Sequence, residues 1–178
     1  MDPKPERSRR PRPLALLVLA GAVWLVACEA GPAPATPPIV PGNAAAPREV
    51  NLIAKDYSFL PATLDVVPGE TVLLHVINGG LDVHEAIIGD ASVQEAWELA
   101  ESVVDEAAPG PTPIVNVPFD VGGLRIVVRS GERVDVVWTV PAVEAGAAGA
   151  PEPLVVGCHI PGHWERGMWI PVRWAGAS

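Results

Sequence analysis

From about residue 49 onward, short apolar runs alternate with clusters of turn residues. Val50–Lys55, Thr63–Val67, Glu70–Asn78, His84–Gly89, Leu124–Arg129, Glu132–Val140, Leu154–Cys158 and Met168–Trp174 are β-type runs, rich in Val, Ile and Leu. Pro68-Gly69 and Asn78-Gly79-Gly80 mark turns between them. Ser130-Gly131 predicts a hairpin joining Leu124–Arg129 to Glu132–Val140. About eight short strands predict an all-β Greek-key sandwich or barrel.

One segment has a different period. Val93, Ala96, Trp97, Ala100 and Val104 recur at helical spacing, with acidic residues on the opposite face. Ser92-Val93-Gln94-Glu95 has the form of a capping box, and Pro109-Gly110-Pro111 stops the run. The pattern predicts an amphipathic helix from about Ser92 to Ala107, packed on the barrel by Trp97 as structural cover.

The N-terminal region has neither period. A basic, Pro-rich start precedes Leu14–Ala27, an uninterrupted apolar run of fourteen residues. A membrane span needs about 20, so the run reads as an export signal over residues 1–27. Leu25-Val26-Ala27-Cys28 resembles a bacterial lipoprotein box. That resemblance implies cleavage before Cys28, lipidation of its thiol and anchoring to the outer face of a bacterial membrane. An uncleaved N-terminal anchor is the alternative, and both export the domain. Residues 28–48 are Pro- and Ala-rich and read as an extended tether. Residues 49–178 are then the one folded domain.

Charge narrows the partners. The chain has a net charge of −9, and five of its 12 basic residues lie in the first 27. The acidic domain repels nucleic acid. With Cys28 in the leader, Cys158 is the domain's lone cysteine, which excludes an internal disulfide.

The candidate chemistry is concentrated near the C-terminus. Cys158, His163 and Met168 stand five and five residues apart in Cys-His-Ile-Pro-Gly-His-Trp-Glu-Arg-Gly-Met. Apart from Cys28 and Met1, Cys158 and Met168 are the chain's only sulfur-bearing residues. Thiolate, imidazole and thioether, with a second imidazole, form the donor set of a mononuclear blue-copper site. Pro161-Gly162 supplies the bend between Cys158 and His163. His75, His84 and His159 are the remaining imidazoles. His84 follows a turn and opens a strand, which places it at a barrel end and makes it the fourth ligand. His75 lies mid-strand and reads as structural. His159 adjoins Cys158, and strand alternation points it away from the metal.

Asn78–His84 followed by Cys158-x4-His163-x4-Met168 resembles the cupredoxin family, with a ligand loop similar to rusticyanin, auracyanin and sulfocyanin-like members. The resemblance covers roughly residues 49–178. It implies a Greek-key β-sandwich holding one type 1 copper, with His84, Cys158 and His163 as equatorial ligands and Met168 as weak axial ligand. It also implies single-electron transfer. Plastocyanins and azurins commonly have Asn after the first ligand His, tying the ligand loops together, whereas this chain has Glu85.

Function follows as an expectation. The Cys158 loop is also similar to the last motif of multicopper oxidases, but four histidines and no His-x-His are too few for a trinuclear cluster. No substrate turnover is expected. The chain reads as a membrane-tethered electron carrier that docks transiently with redox partner proteins near His163 and Trp164, with Trp169 also flanking the loop. An extracytoplasmic copper chaperone or sequestration protein is the alternative.

Overall fold

The computed structural model describes residues 38–103, 115, 117–142 and 152–176. The expected export leader, Cys28 and the expected tether up to residue 37 lie outside the described residues. Nine strands form two sheets. Their order along the chain is β1 (Arg48–Lys55), β2 (Ser58–Leu60), β3 (Leu64–Val66), β4 (Thr71–Asn78), β5 (His84–Gly89), helix α1 (Ala91–Glu101), β6 (Leu124–Val128), β7 (Arg133–Thr139), β8 (Leu154–Gly157) and β9 (Trp169–Trp174). One sheet has the order β2-β1-β4-β7 and the other β3-β9-β8-β5-β6. The β1–β4 and β3–β9 pairs are parallel, so each sheet is mixed.

Inward-facing side chains of the two sheets form one core, with Leu52, Leu74, Val76, Ile126, Val156 and Ile170 among its members. The strand pattern read from the sequence matches the sheets closely. β2 was not anticipated, because three residues followed by Pro61 carry almost no periodicity. It pairs with the end of β1.

The expected hairpin around Ser130-Gly131 does not form. β6 pairs with β5, and β7 pairs with β4 in the other sheet. The turn therefore carries the chain from one sheet to the other. It is held to the end of β4, where Asn78 O accepts from Gly131 N at 3.0 Å and Asn78 N donates to Glu132 O at 2.9 Å. Gly131 takes φ +73°, a conformation a side chain would strain. The ladder from Thr71–Thr139 to Ile77–Arg133 along β4 gives β7 a longer partner than β6 offers.

β5 is buried along its whole length. Ala86 and Ile88 face the sandwich core. Ile87 faces outward and packs against Val93 and Trp97 of α1. The helix thus covers the outer face of the five-stranded sheet, as its apolar stripe predicted. Its cap differs from expectation. Asp90 is the N-cap, and its Oδ1 accepts from Ser92 N at 2.9 Å and Val93 N at 3.1 Å. Ser92 instead lies inside the first turn, where its hydroxyl donates to the same oxygen. A carboxylate two residues upstream satisfies the orphan amides first. The predicted residues 104–107 of the helix fall outside those described.

The last part of the expected tether lies against the sandwich. Thr71 N donates to Gly42 O at 3.1 Å, and residues 43 and 46 bridge each other. Glu70 organises this corner. Its buried carboxylate pairs with Arg48 at 2.5 Å and accepts from Val67 N at 2.8 Å and Gly42 N at 3.3 Å. These bonds hold the carboxyl below its usual range despite burial, which opposes them as the largest single effect. Removing one partner of a buried pair strands the other. Glu70→Ala should therefore destabilise the domain by about 3–5 kcal/mol in denaturant unfolding, whereas Glu95→Ala, at an exposed position, should change it by less than about 1 kcal/mol.

Candidate metal centre

His84, Cys158 and His163 come together at one end of the sandwich. One ligand atom from each lies within 4.8 Å of the others. His84 Nδ1 is 3.3 Å from His163 Nδ1, which is also 3.3 Å from Cys158 Sγ. All three are buried, His84 and Cys158 completely and His163 with 6% exposure.

Local structure explains each position. His84 opens β5 with its side chain toward the core side. The loop before it is fixed by Asn78, whose side chain donates to Asp82 O at 2.7 Å and Val128 O at 3.0 Å and accepts from Gly80 N at 2.8 Å. Cys158 directly follows β8. The loop then doubles back. His163 N donates to Ile160 O at 2.9 Å, with Gly162 at φ +82° making the bend. Met168 N donates to His163 O, and Cys158 N donates to Met168 O, both at 3.1 Å. Met168 is fully buried, and its backbone ties the two other loop residues together.

The donor set fits a soft or borderline metal. Burial drives the Cys158 thiol up to about 12. Burial, then the neighbouring His84, lower His163 to about 4, so it is neutral at pH 7. The uncharged Cys158 thiol and His163 ring thus converge with His84 in a buried site. Thiolate and imidazole together suit copper, zinc or iron, and one thiolate with two imidazoles in a three-donor set is the copper arrangement.

No family model matches the chain. It is 33% identical over 131 residues to the copper-resistant cuproprotein CopI of Rubrivivax gelatinosus, spanning 72% of this chain and 67% of that protein. The chain belongs to this CopI family. The Pseudomonas aeruginosa CopI is 26% identical over 181 residues, which span 90% of this chain and 94% of that one. Dithionite-reduced auracyanin from the photosynthetic bacterium Roseiflexus castenholzii superposes with a TM-score of 0.53 at 18% identity, covering 71% of this chain and 96% of that one. The fold of this CopI-family chain is that of the cupredoxins.

The other imidazoles lie where the sequence placed them. His75 sits on the outer face of β4, bonded to Asp135 Oδ1 at 2.8 Å and beside Arg133. His159 points away from the site. Its ring bonds Glu98 Oε2 and Gln94 Oε1, both at 2.7 Å, and stacks on Trp164 at 4.6 Å between centroids. Trp164 therefore lies against His159, with Trp169 tilted beside it at 6.1 Å. Helix α1, read from sequence as cover only, supplies the two side chains that hold His159. A Cβ at Gly157 would collide with Gln94 Oε1 and Trp164, so glycine before the thiol makes room for this stack.

Glu85 faces the helix as well. Its backbone N–H donates to Cys158 Sγ at 3.3 Å, so main chain ties the two loops together. Its side chain pairs with Arg125, which also reaches Glu101 at 3.4 Å. Burial raises both carboxyls, with Glu101 at about 7 after the added effect of the Glu85 charge.

Two further residues escaped the sequence reading. Asp56 and Tyr57, in the turn between β1 and β2, lie against the ligand histidines. Asp56 is 28 positions from His84, and no spacing rule connects them. The Leu81 amide, opposed by burial and aided by His84, holds the Asp56 carboxyl below its usual range.

A neutral thiol must lose its proton to become a ligand. Binding releases protons, so affinity rises with pH. Between pH 5 and 9 Cys158 is protonated and His163 is not. Calorimetry in buffers of different ionisation enthalpy should count at least one proton, that of the Cys158 thiol, released per copper bound. The apparent association constant should rise about tenfold per pH unit. Release of no proton would contradict the neutral thiol.

Proposed function

We propose that this chain is an extracytoplasmic type 1 copper protein that carries single electrons between partner proteins. The observation that carries this reading is the closure of the site. Two imidazoles and the domain's only thiol meet in a buried site, and their loops are locked by hydrogen bonds. A site that traffics metal needs open, exchangeable donors. A site that moves electrons benefits from donors that stay in place when the charge of the ion changes.

When bound, copper supplies a one-electron couple between Cu(II) and Cu(I). The residues provide the rest. The Cys158 thiolate, once deprotonated, is the strong covalent donor, and the Glu85 amide N–H steadies its sulfur. His84 and His163 are the imidazole donors. Met168 would supply a weak thioether donor, its backbone being bonded to Cys158 and His163. His163 is the ligand nearest solvent, which makes its ring edge the exit toward a docked partner. Partners dock transiently at the loop from His159 to Met168, where Trp169 is 48% exposed. No residue in this arrangement is assigned to substrate turnover. Export, lipidation of Cys28 and anchoring to the membrane belong to the same proposal.

A second reading has its own support. The two relatives are named copper-resistant cuproproteins, which favours copper handling in resistance. The readings differ in what happens on reduction. A carrier retains its copper through repeated cycles of ascorbate reduction and ferricyanide oxidation in the presence of a chelator, whereas a handler releases it.

Loaded with one equivalent of copper, the protein should be intensely blue or green from thiolate-to-copper charge transfer. Cys158→Ala should abolish the band and His75→Ala should leave it. A colourless wild-type complex would favour handling, and loss of the band in His75→Ala would place the wrong imidazole at the metal. Met168→Leu should keep the band and raise the reduction potential, because a donor that favours Cu(II) is removed. An unchanged potential would remove Met168 from the site.

A further inference from the structure

The turn between β1 and β2 reaches over the metal centre. His84 Nε2 lies 2.8 Å from Asp56 Oδ1, and His84 itself has no exposure. A carboxylate only accepts, so the imidazole donates through Nε2–H. In the neutral ring the proton is then absent from Nδ1, the nitrogen facing His163. The carboxylate is itself pinned. Leu81 N donates to it at 3.0 and 3.1 Å, and Asp82 N at 3.2 Å. A Cβ at Gly80 would strike the same carboxylate, so glycine there permits its approach. The adjacent Tyr57 packs edge-on against His163 at 4.8 Å and donates its hydroxyl to Asp82 Oδ2 at 2.8 Å. Arg166 covers the outer face of that ring at 4.2 Å.

We propose that Asp56 is a positioning residue for the metal, holding His84 in the tautomer that presents Nδ1 and adding a negative charge that favours Cu(II) over Cu(I). The inference rests on the reading of His84, Cys158 and His163 as copper ligands. Partners of this kind on ligand histidines orient the ring and raise its basicity, and their loss typically costs about 10–100-fold in metal affinity. The charge acts differently on the two oxidation states, because it interacts more strongly with the more highly charged ion.

Two variants separate orientation from charge. Asp56→Asn keeps a side-chain oxygen able to accept from His84 but removes the charge. Asp56→Ala removes both. In the metal-free protein, nitrogen-15 NMR of the His84 ring should show an Nε2-protonated tautomer in wild type and Asp56→Asn. Asp56→Ala should show a mixture. Copper affinity should fall about 10–100-fold in Asp56→Ala. In Asp56→Asn the ratio of Cu(II) to Cu(I) affinities should fall about tenfold. An unchanged tautomer in a folded Asp56→Ala overturns the proposal. If that variant does not fold, an unchanged affinity ratio in Asp56→Asn overturns it. A tautomer change of equal size in Tyr57→Phe, which leaves the carboxylate in place, also overturns it by assigning the effect to the turn as a whole. The tautomer is read without copper, so its failure is distinct from failure of the copper reading, which would appear as equal copper affinity in wild type and Cys158→Ala.

Discussion

Strand alternation at two neighbouring strands of the five-stranded sheet is the constraint on which the site depends. β5 and β8 pair within the five-stranded sheet, and each leads into or out of a ligand. A side chain directed into the sandwich forces its sequence neighbour to the other face. His84 and Cys158 take the inner side. Glu85 and His159 are thereby sent outward, where an ordinary surface would leave them in water. Here helix α1 covers them. Gln94 and Glu98 bond His159, while Glu101 shares Arg125 with Glu85. Positions 94, 98 and 101 follow the four- and three-residue steps of a single helix face. The inserted helix is therefore coupled to the residue after each of two candidate metal ligands.

This arrangement explains why so many polar groups are tolerated inside a small domain. Burying an unpaired charge or polar group is costly, and the cost falls when partners are preorganised. His159 has both ring nitrogens bonded, and His84 has a carboxylate on one and the metal donors on the other. Glu85 Oε2 and Glu101 Oε2 are exceptions, buried without a partner among the described residues. They face the only guanidinium in their cluster, so one positive charge serves two carboxyls. That imbalance is consistent with the raised Glu101 carboxyl, which burial and the Glu85 charge push in the same direction.

Most of the fold was legible in the chain because the strands are short, strongly apolar and bounded by Gly or Pro. His84–Gly89 was read to the residue, and the helix was found from its period. The failed hairpin shows what periodicity lacks. Two adjacent strands with a turn between them carry no information about which sheet each will join, and here β6 joins β5 while β7 joins β4. The candidate metal donors stand out for a different reason. Cys158 and Met168 are nearly unique in composition, and their spacing with His163 is local. The residues that support the donors were not legible, since Asp56, Tyr57, Gln94 and Glu98 come from segments 28 or more positions away from the groups they hold. Nothing in the sequence marks them as chemical until the fold brings them close.

The central claim is that one thiolate and two imidazoles share a single copper ion. X-ray absorption at the copper edge, recorded on the protein loaded with one equivalent, tests it most directly. One short copper–sulfur distance and two copper–nitrogen distances of imidazole type are expected, with the short sulfur shell absent in Cys158→Ala. A wild-type spectrum fitted by nitrogen and oxygen neighbours alone would contradict it.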